Sequence, residues 1–124
     1  MKITDIITFK NYYEEIVDEK IPFNTAYKLN KIYKSVLNDI AWYQVEFNKL
    51  IEKYAKIDEN GEYIYSAGGD TIVIKEEDIE ECNLAVMELN NMEFNYDKEF
   101  TIEEVEKLPN IKLAYFEILM NFIN

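Results

Sequence analysis

Chemistry in this 124-residue chain has to be built from Asp, Glu, Lys, Tyr and one thiol, because the sequence holds no His and all thirteen of its basic residues are Lys. Without imidazole there is no general base of the usual neutral-pH kind and no imidazole metal ligand. Without guanidinium there is no bidentate clamp for phosphate or carboxylate. One cysteine, Cys82, cannot form an intrachain disulfide, and with no His beside it none of the common structural zinc sites can form. The only glycines are Gly61, Gly68 and Gly69, so there is no Gly-rich phosphate loop. A pair of carboxylates of the glycosidase type remains open in principle. Twenty-five acidic residues single no pair out. Asp58-x-Asn60-Gly61 has the opening of a calcium loop but not its later ligands, and Gly69 stands where the closing Glu belongs. The expectation is a protein that is not an enzyme and needs no cofactor and no metal.

What the charged residues do offer is a field. The net charge is −12, unevenly spread: residues 1–57 carry nine Lys against eight acids, and residues 58–124 carry four Lys against seventeen. The densest stretch, Glu76, Glu77, Asp78, Glu80 and Glu81, has Ile79 as its one interruption. Direct binding to nucleic acid is not expected of such a chain, since phosphate contacts need cations. A basic protein surface is the natural complement, and these five acids are the candidate partner-binding residues. Lys28, Lys31 and Lys34 read as solvated helix surface.

The elements that hold these residues follow from apolar spacing. Ile6, Phe9, Tyr13 and Ile16 form one helical face, capped by Thr4 or Thr8 and ending near Lys20. Ile21-Pro22-Phe23 breaks it, with Asn24 or Thr25 as the next cap. Leu29, Tyr33, Val36, Ile40, Tyr43, Phe47, Leu50 and Tyr54 then alternate in steps of four and three, with no Gly or Pro from Asn24 to Ile57. That predicts an unbroken helix of roughly 48 Å whose heptad face packs on other helices, with Val36, Ile40, Tyr43 and Phe47 in the core. Glu62–Ser66 and Thr71–Lys75, around Ala67-Gly68-Gly69-Asp70, predict a β-hairpin with Tyr65 facing Ile72, Tyr63 facing Ile74, and all four on the core side. The acids at 76–78 open a third helix, where negative charge suits the positive end of the helix dipole. Its seam is Ile79, Cys82, Val86 and Leu89, which makes Cys82 a buried small hydrophobe. Met92–Tyr96 reads as extended. Thr101-x-x-Glu104 is a capping box for a short helix stopped by Pro109.

The last stretch, Ile111–Ile123, is nearly all apolar but too short to span a bilayer, so no membrane contact is expected. Leu113, Phe116, Leu119, Met120 and Ile123 are the candidate apolar surface for a partner or for a second copy in a homodimer. The fold expected is α+β and mostly α: a long central heptad helix, shorter helices, and one small hairpin at about residues 62–75. One domain covers 1–124, a near-neutral helical half (1–57) followed by a strongly acidic half (58–124).

The chain resembles a group of small acidic proteins encoded by phages and prophages of low-GC Gram-positive bacteria, with no assigned function. The resemblance is carried by Ile21-Pro22 with Ala26-Tyr27-Lys28-Leu29, by Lys49-Leu50-Ile51-Glu52-Lys53-Tyr54 running into Asp58-Glu59-Asn60-Gly61, and by Thr101-Ile102-Glu103-Glu104-Val105-Glu106. It implies a phage protein acting in the cytoplasm of its bacterial host or in virion assembly. The function expected is a non-catalytic inhibitor of a host defence complex, anti-CRISPR-like, with the acidic half occupying a basic nucleic-acid-binding groove. A structural or assembly protein of the phage head or tail is the alternative. A protein that sequesters a small signalling nucleotide is the third reading.

Overall fold

A computed structural model describes residues Met1–Asn124. Its elements are α1 (Ile3–Ile16), α2 (Phe23–Tyr54), a 3₁₀ turn at Glu76–Asp78, α3 (Ile79–Asn90), α4 (Ile102–Glu106), α5 (Leu113–Leu119) and a 3₁₀ turn at Met120–Phe122. The chain is 61% helical and has no β-strand, so the α+β expectation is corrected to all-α. No helix is long and apolar enough to cross a membrane. The residues divide into two compact units, Met1–Ala41 with Met92–Asn124, and Trp42–Asn91.

The first unit holds the dense core. Fourteen of the eighteen buried apolar side chains lie in it, among them Ile6, Phe9, Tyr12, Leu29, Val36, Phe100 and Phe122. α1 starts at Ile3, earlier than Thr4 or Thr8 would allow as caps, because the Asp5 carboxylate accepts the Lys2 backbone N–H at 2.9 Å. It stops at Ile16, short of Lys20. Its inward face is Ile3, Ile6, Phe9, Tyr12 and Ile16. Tyr12, not Tyr13, takes the inner position and packs at a tilt against Tyr115 of α5 at 4.6 Å, while Tyr13 is half-buried and stacked on Tyr33 of α2 at 4.2 Å. Phe9 meets Phe122 edge-on at 5.2 Å, within the 4.5–7 Å range at which aromatic pairs attract. The chain end is fixed by Phe100 N–H donating to Phe122 C=O and Asn124 N–H donating to Phe100 C=O.

α2 runs unbroken, as its spacing requires, but begins on the Pro22 carbonyl, which accepts from Ala26 N–H at 2.9 Å. Thr25, expected as a cap, is instead buried and donates its hydroxyl to Glu104 at 3.2 Å. In a chain without Arg or His, tyrosine hydroxyls satisfy the carboxylates of this unit. Tyr33 donates to Glu14 at 2.6 Å, Tyr96 to Asp39 at 2.6 Å and Tyr115 to Glu15 at 3.2 Å. Burial first, and then the bond to Asp39, holds the Tyr96 phenol well above its ordinary range.

The second unit is thinly packed. Only Tyr54, Ala55, Cys82 and Leu89 are fully buried apolar side chains. Tyr43 and Phe47, expected in the core, are half-buried. So is Ile40 in the first unit, and of the four expected core residues only Val36 is fully buried. The expected hairpin at 62–75 is absent. Helix α2 ends at Tyr54, and Ala55–Ile57 leave it extended and compete for the same pairings. Isolated antiparallel bridges join Ala55 to Ile74, Ile57 to Tyr63 and Tyr65 to Ile72. Lys56 N–H donates to Val73 C=O at 2.8 Å and Lys56 C=O accepts from Ile64 N–H at 3.1 Å, so one residue is shared between both segments. Tyr63 therefore faces Ile57 rather than Ile74. Each pair of segments shares a single rung, which is too little for a ladder to propagate. Nor do the four side chains make a core face: Tyr65 is exposed, and Tyr63, Ile72 and Ile74 are half-buried. Gly61 and Gly69, at φ +77° and +73°, make the two reversals that bring these segments back.

Candidate protein-binding surface

The acidic stretch folds into the 3₁₀ turn Glu76–Asp78 and the first turn of α3. Five carboxylates gather there because the free N–H groups and dipole of a helix start favour negative charge. The turn is set by Asp78 N–H donating to Lys75 C=O at 2.9 Å. Glu76, Glu77, Glu80 and Glu81 are exposed and Asp78 is half-buried. None of the five is in an ion pair; the unit's single salt bridge is Lys49 with Glu46, at 3.0 Å. Lys56 and Lys75 line a groove with Glu76 and Glu77, and Lys53 is a further nearby cation. Its ammonium sits 5.0 Å from the Tyr54 ring centre. Tyr54 above all, with Glu81 and Asp78 behind it, raises the Lys53 pKa and keeps it charged. Residues 42–91 carry twelve acids against four Lys, a net of −8.

Cys82 lies inward, as its seam position requires. Burial, and then the Asp78 carboxylate, push its thiol pKa up, away from the reactive thiolate. Ile79, expected beside it, is instead exposed. No three carboxylate or thiol groups converge in a way that would hold a metal ion.

The apolar candidates of the C-terminal segment do not form one surface. Leu119 is 1% exposed and packs inward, Phe116 and Ile123 are half-buried, and Ile123 bridges to Phe100. Leu113 at 74% and Met120 at 52% remain outside, one heptad apart. Two apolar residues of α3 escaped the sequence reading. Leu84 is 60% exposed and Met87 58%, on the side away from Cys82 and Leu89. Their signal was present: both fall off the buried seam, and a seam-based reading discards such residues.

A groove in the first unit is internally satisfied. It measures about 210 Å³ and is lined by Lys31, Ser35, Asp39, Tyr96 and Glu99, but Lys31 pairs with Glu99 at 3.0 Å and Asp39 accepts from Tyr96. Compared with known protein families, curated proteins and solved structures, the chain matches none.

Proposed function

We propose that this is a non-catalytic binding protein that presents the acidic surface of residues 42–91 to a basic groove on another protein. In the phage-protein reading, the partner is a nucleic-acid-handling defence complex of the bacterial host, inhibited when the acidic face takes the place of nucleic acid. The observation that carries this is the state of Glu76, Glu77, Glu80 and Glu81: exposed, without an ion pair, in a unit of net charge −8. Like charges crowded on one exposed helix start gain nothing from each other, whereas an opposing basic surface would gain from all of them.

The test is capture of host proteins from a bacterial lysate on the immobilised chain, beside a Glu77→Lys/Glu81→Lys variant. The two side chains are four residues apart on one side of the acidic stretch. A protein held by the wild type should be lost from the variant, be displaced by nucleic acid, and elute between about 50 and about 500 mM salt as the charges are screened. A partner retained equally by both chains at high salt would rule the reading out.

A further inference from the structure

We infer that the outward face of α3 is the contact strip of this surface, and that its partner is an apolar helix face edged by lysine or arginine; the inference rests on the acidic-surface reading. Counting about 100° per residue, Leu84 lies about 200° and Met87 about 140° around the helix from buried Cys82. Glu80, Leu84 and Met87 thus follow one another at steps of four and three along the solvent side, the spacing with which a helix lies in a groove. Leu84 and Met87 are both more than half exposed. Glu77, Glu81 and Glu88 follow the same strip along one flank, all exposed, and α3 contains no Lys.

Charge decides which occupant fits. A second copy docking by the same face would set carboxylates against carboxylates, and nucleic acid or an anionic membrane would be repelled likewise. A cationic edge beside an apolar helix face is attracted along the whole flank, while Leu84 and Met87 supply the desolvated centre such contacts need. The thin packing of the unit agrees, since its four buried apolar side chains leave apolar surface on α3 that a partner would cover. Within α3, Glu81 and Glu88 lie on one flank and the uncharged Asn83 and Asn90 on the other, so the contact also fixes the direction in which the helix lies.

Two synthetic peptides of equal length and charge test this. One is a leucine–lysine amphipathic helix and the other carries lysine with serine in place of leucine. The protein should bind the leucine–lysine helix at least about tenfold tighter, the loss expected from leaving two apolar side chains uncovered. Amide shift changes should centre on residues 79–90. Leu84→Ser/Met87→Ser should bring the two peptides to equal affinity, and because both side chains are exposed the helix should remain folded. Glu77→Lys/Glu81→Lys should weaken both peptides. Equal wild-type affinity for the two peptides, or shifts centred elsewhere in the chain, overturns the inference and leaves the acidic-surface reading standing. Binding of neither peptide overturns both.

Discussion

Glu104 and Lys28 are joined through both carboxylate oxygens, at 3.0 and 3.1 Å, and this pair ties the first turn of α4 to α2. The same carboxylate closes the capping box by accepting the Thr101 N–H at 3.0 Å, and it also accepts the Thr25 hydroxyl. The side chains of Lys28 and Glu104 are each 19% exposed, so water screens the pair only in part.

These bonds hold the Glu104 carboxyl below its ordinary pKa of 4.5, the Thr101 N–H first and then Lys28 and Thr25. A lowered carboxylate pKa stabilises the fold above the unfolded value, and that stabilisation is lost as pH falls through the folded one. Glu104→Gln should therefore cost about 1–2 kcal/mol at neutral pH. Urea midpoints of the variant and the wild type should draw together as pH falls from 4.5 and meet only below the lowered folded pKa, where the wild-type carboxyl is protonated as well. A gap that persists in acid would mean the side chain acts by shape rather than charge.

Tyr12 sets the opposite limb. Burial, then Glu15 and Tyr115, raise its pKa from 10.0 to about 12, and its hydroxyl donates to the Pro109 carbonyl at 2.7 Å. The fold thus favours the neutral phenol. Its contribution is intact below pH 10 and is lost as pH rises toward about 12. Tyr12→Phe should lose about 1 kcal/mol at neutral pH, the worth of one hydrogen bond. It should also flatten the alkaline fall in stability, though not abolish it, because Tyr96 is raised too. Phenolate absorbance followed with pH would show one fewer late-titrating tyrosine.

Packing separates two phenylalanines that look alike in sequence. Phe122 is fully buried against Phe9, and Phe122→Ala should cost about 3–5 kcal/mol. Phe47 is half-buried, so Phe47→Ala should cost less than about 2 kcal/mol. Comparable losses at both sites in denaturant titrations would show that the second unit packs more tightly than its surface suggests.

The long helix was legible because eight apolar residues at steps of four and three leave no other regular structure to choose, and the Thr101–Glu104 box was legible because its two hydrogen bonds are local. Long-range competition was not. Residues 62–75 alternate like a hairpin, yet Ala55–Ile57, assigned by periodicity to the helix, take two of the rungs. Lys28 and Lys31 read as solvated surface because Glu104 and Glu99 lie far along the chain. The acidic stretch was readable as exposed from Cys82 alone, since one buried position fixes the helix phase. The same phase placed Leu84 and Met87 outside, but a reading that follows the buried seam does not ask what stands opposite it.

The last prediction concerns how unevenly the fold resists opening. Local opening needs less free energy where few apolar groups are buried and where backbone hydrogen bonds lie near water. Residues 42–91 bury four apolar side chains fully, against fourteen in the other unit. Their extended segments meet through isolated bridges rather than a ladder, and acids in this unit outnumber Lys by eight. Amides of α3 should therefore exchange with solvent at least about a hundredfold faster than those of α1, a difference of about 2.7 kcal/mol in opening free energy. Added salt should narrow the gap by screening the crowded carboxylates around Glu76–Glu81. Leu89→Ala should speed exchange across α3 and leave α1 unchanged, because its side chain belongs to the thin core. Uniform protection through both helices would show that the chain opens as one cooperative body, and that the acidic unit is held as firmly as the rest.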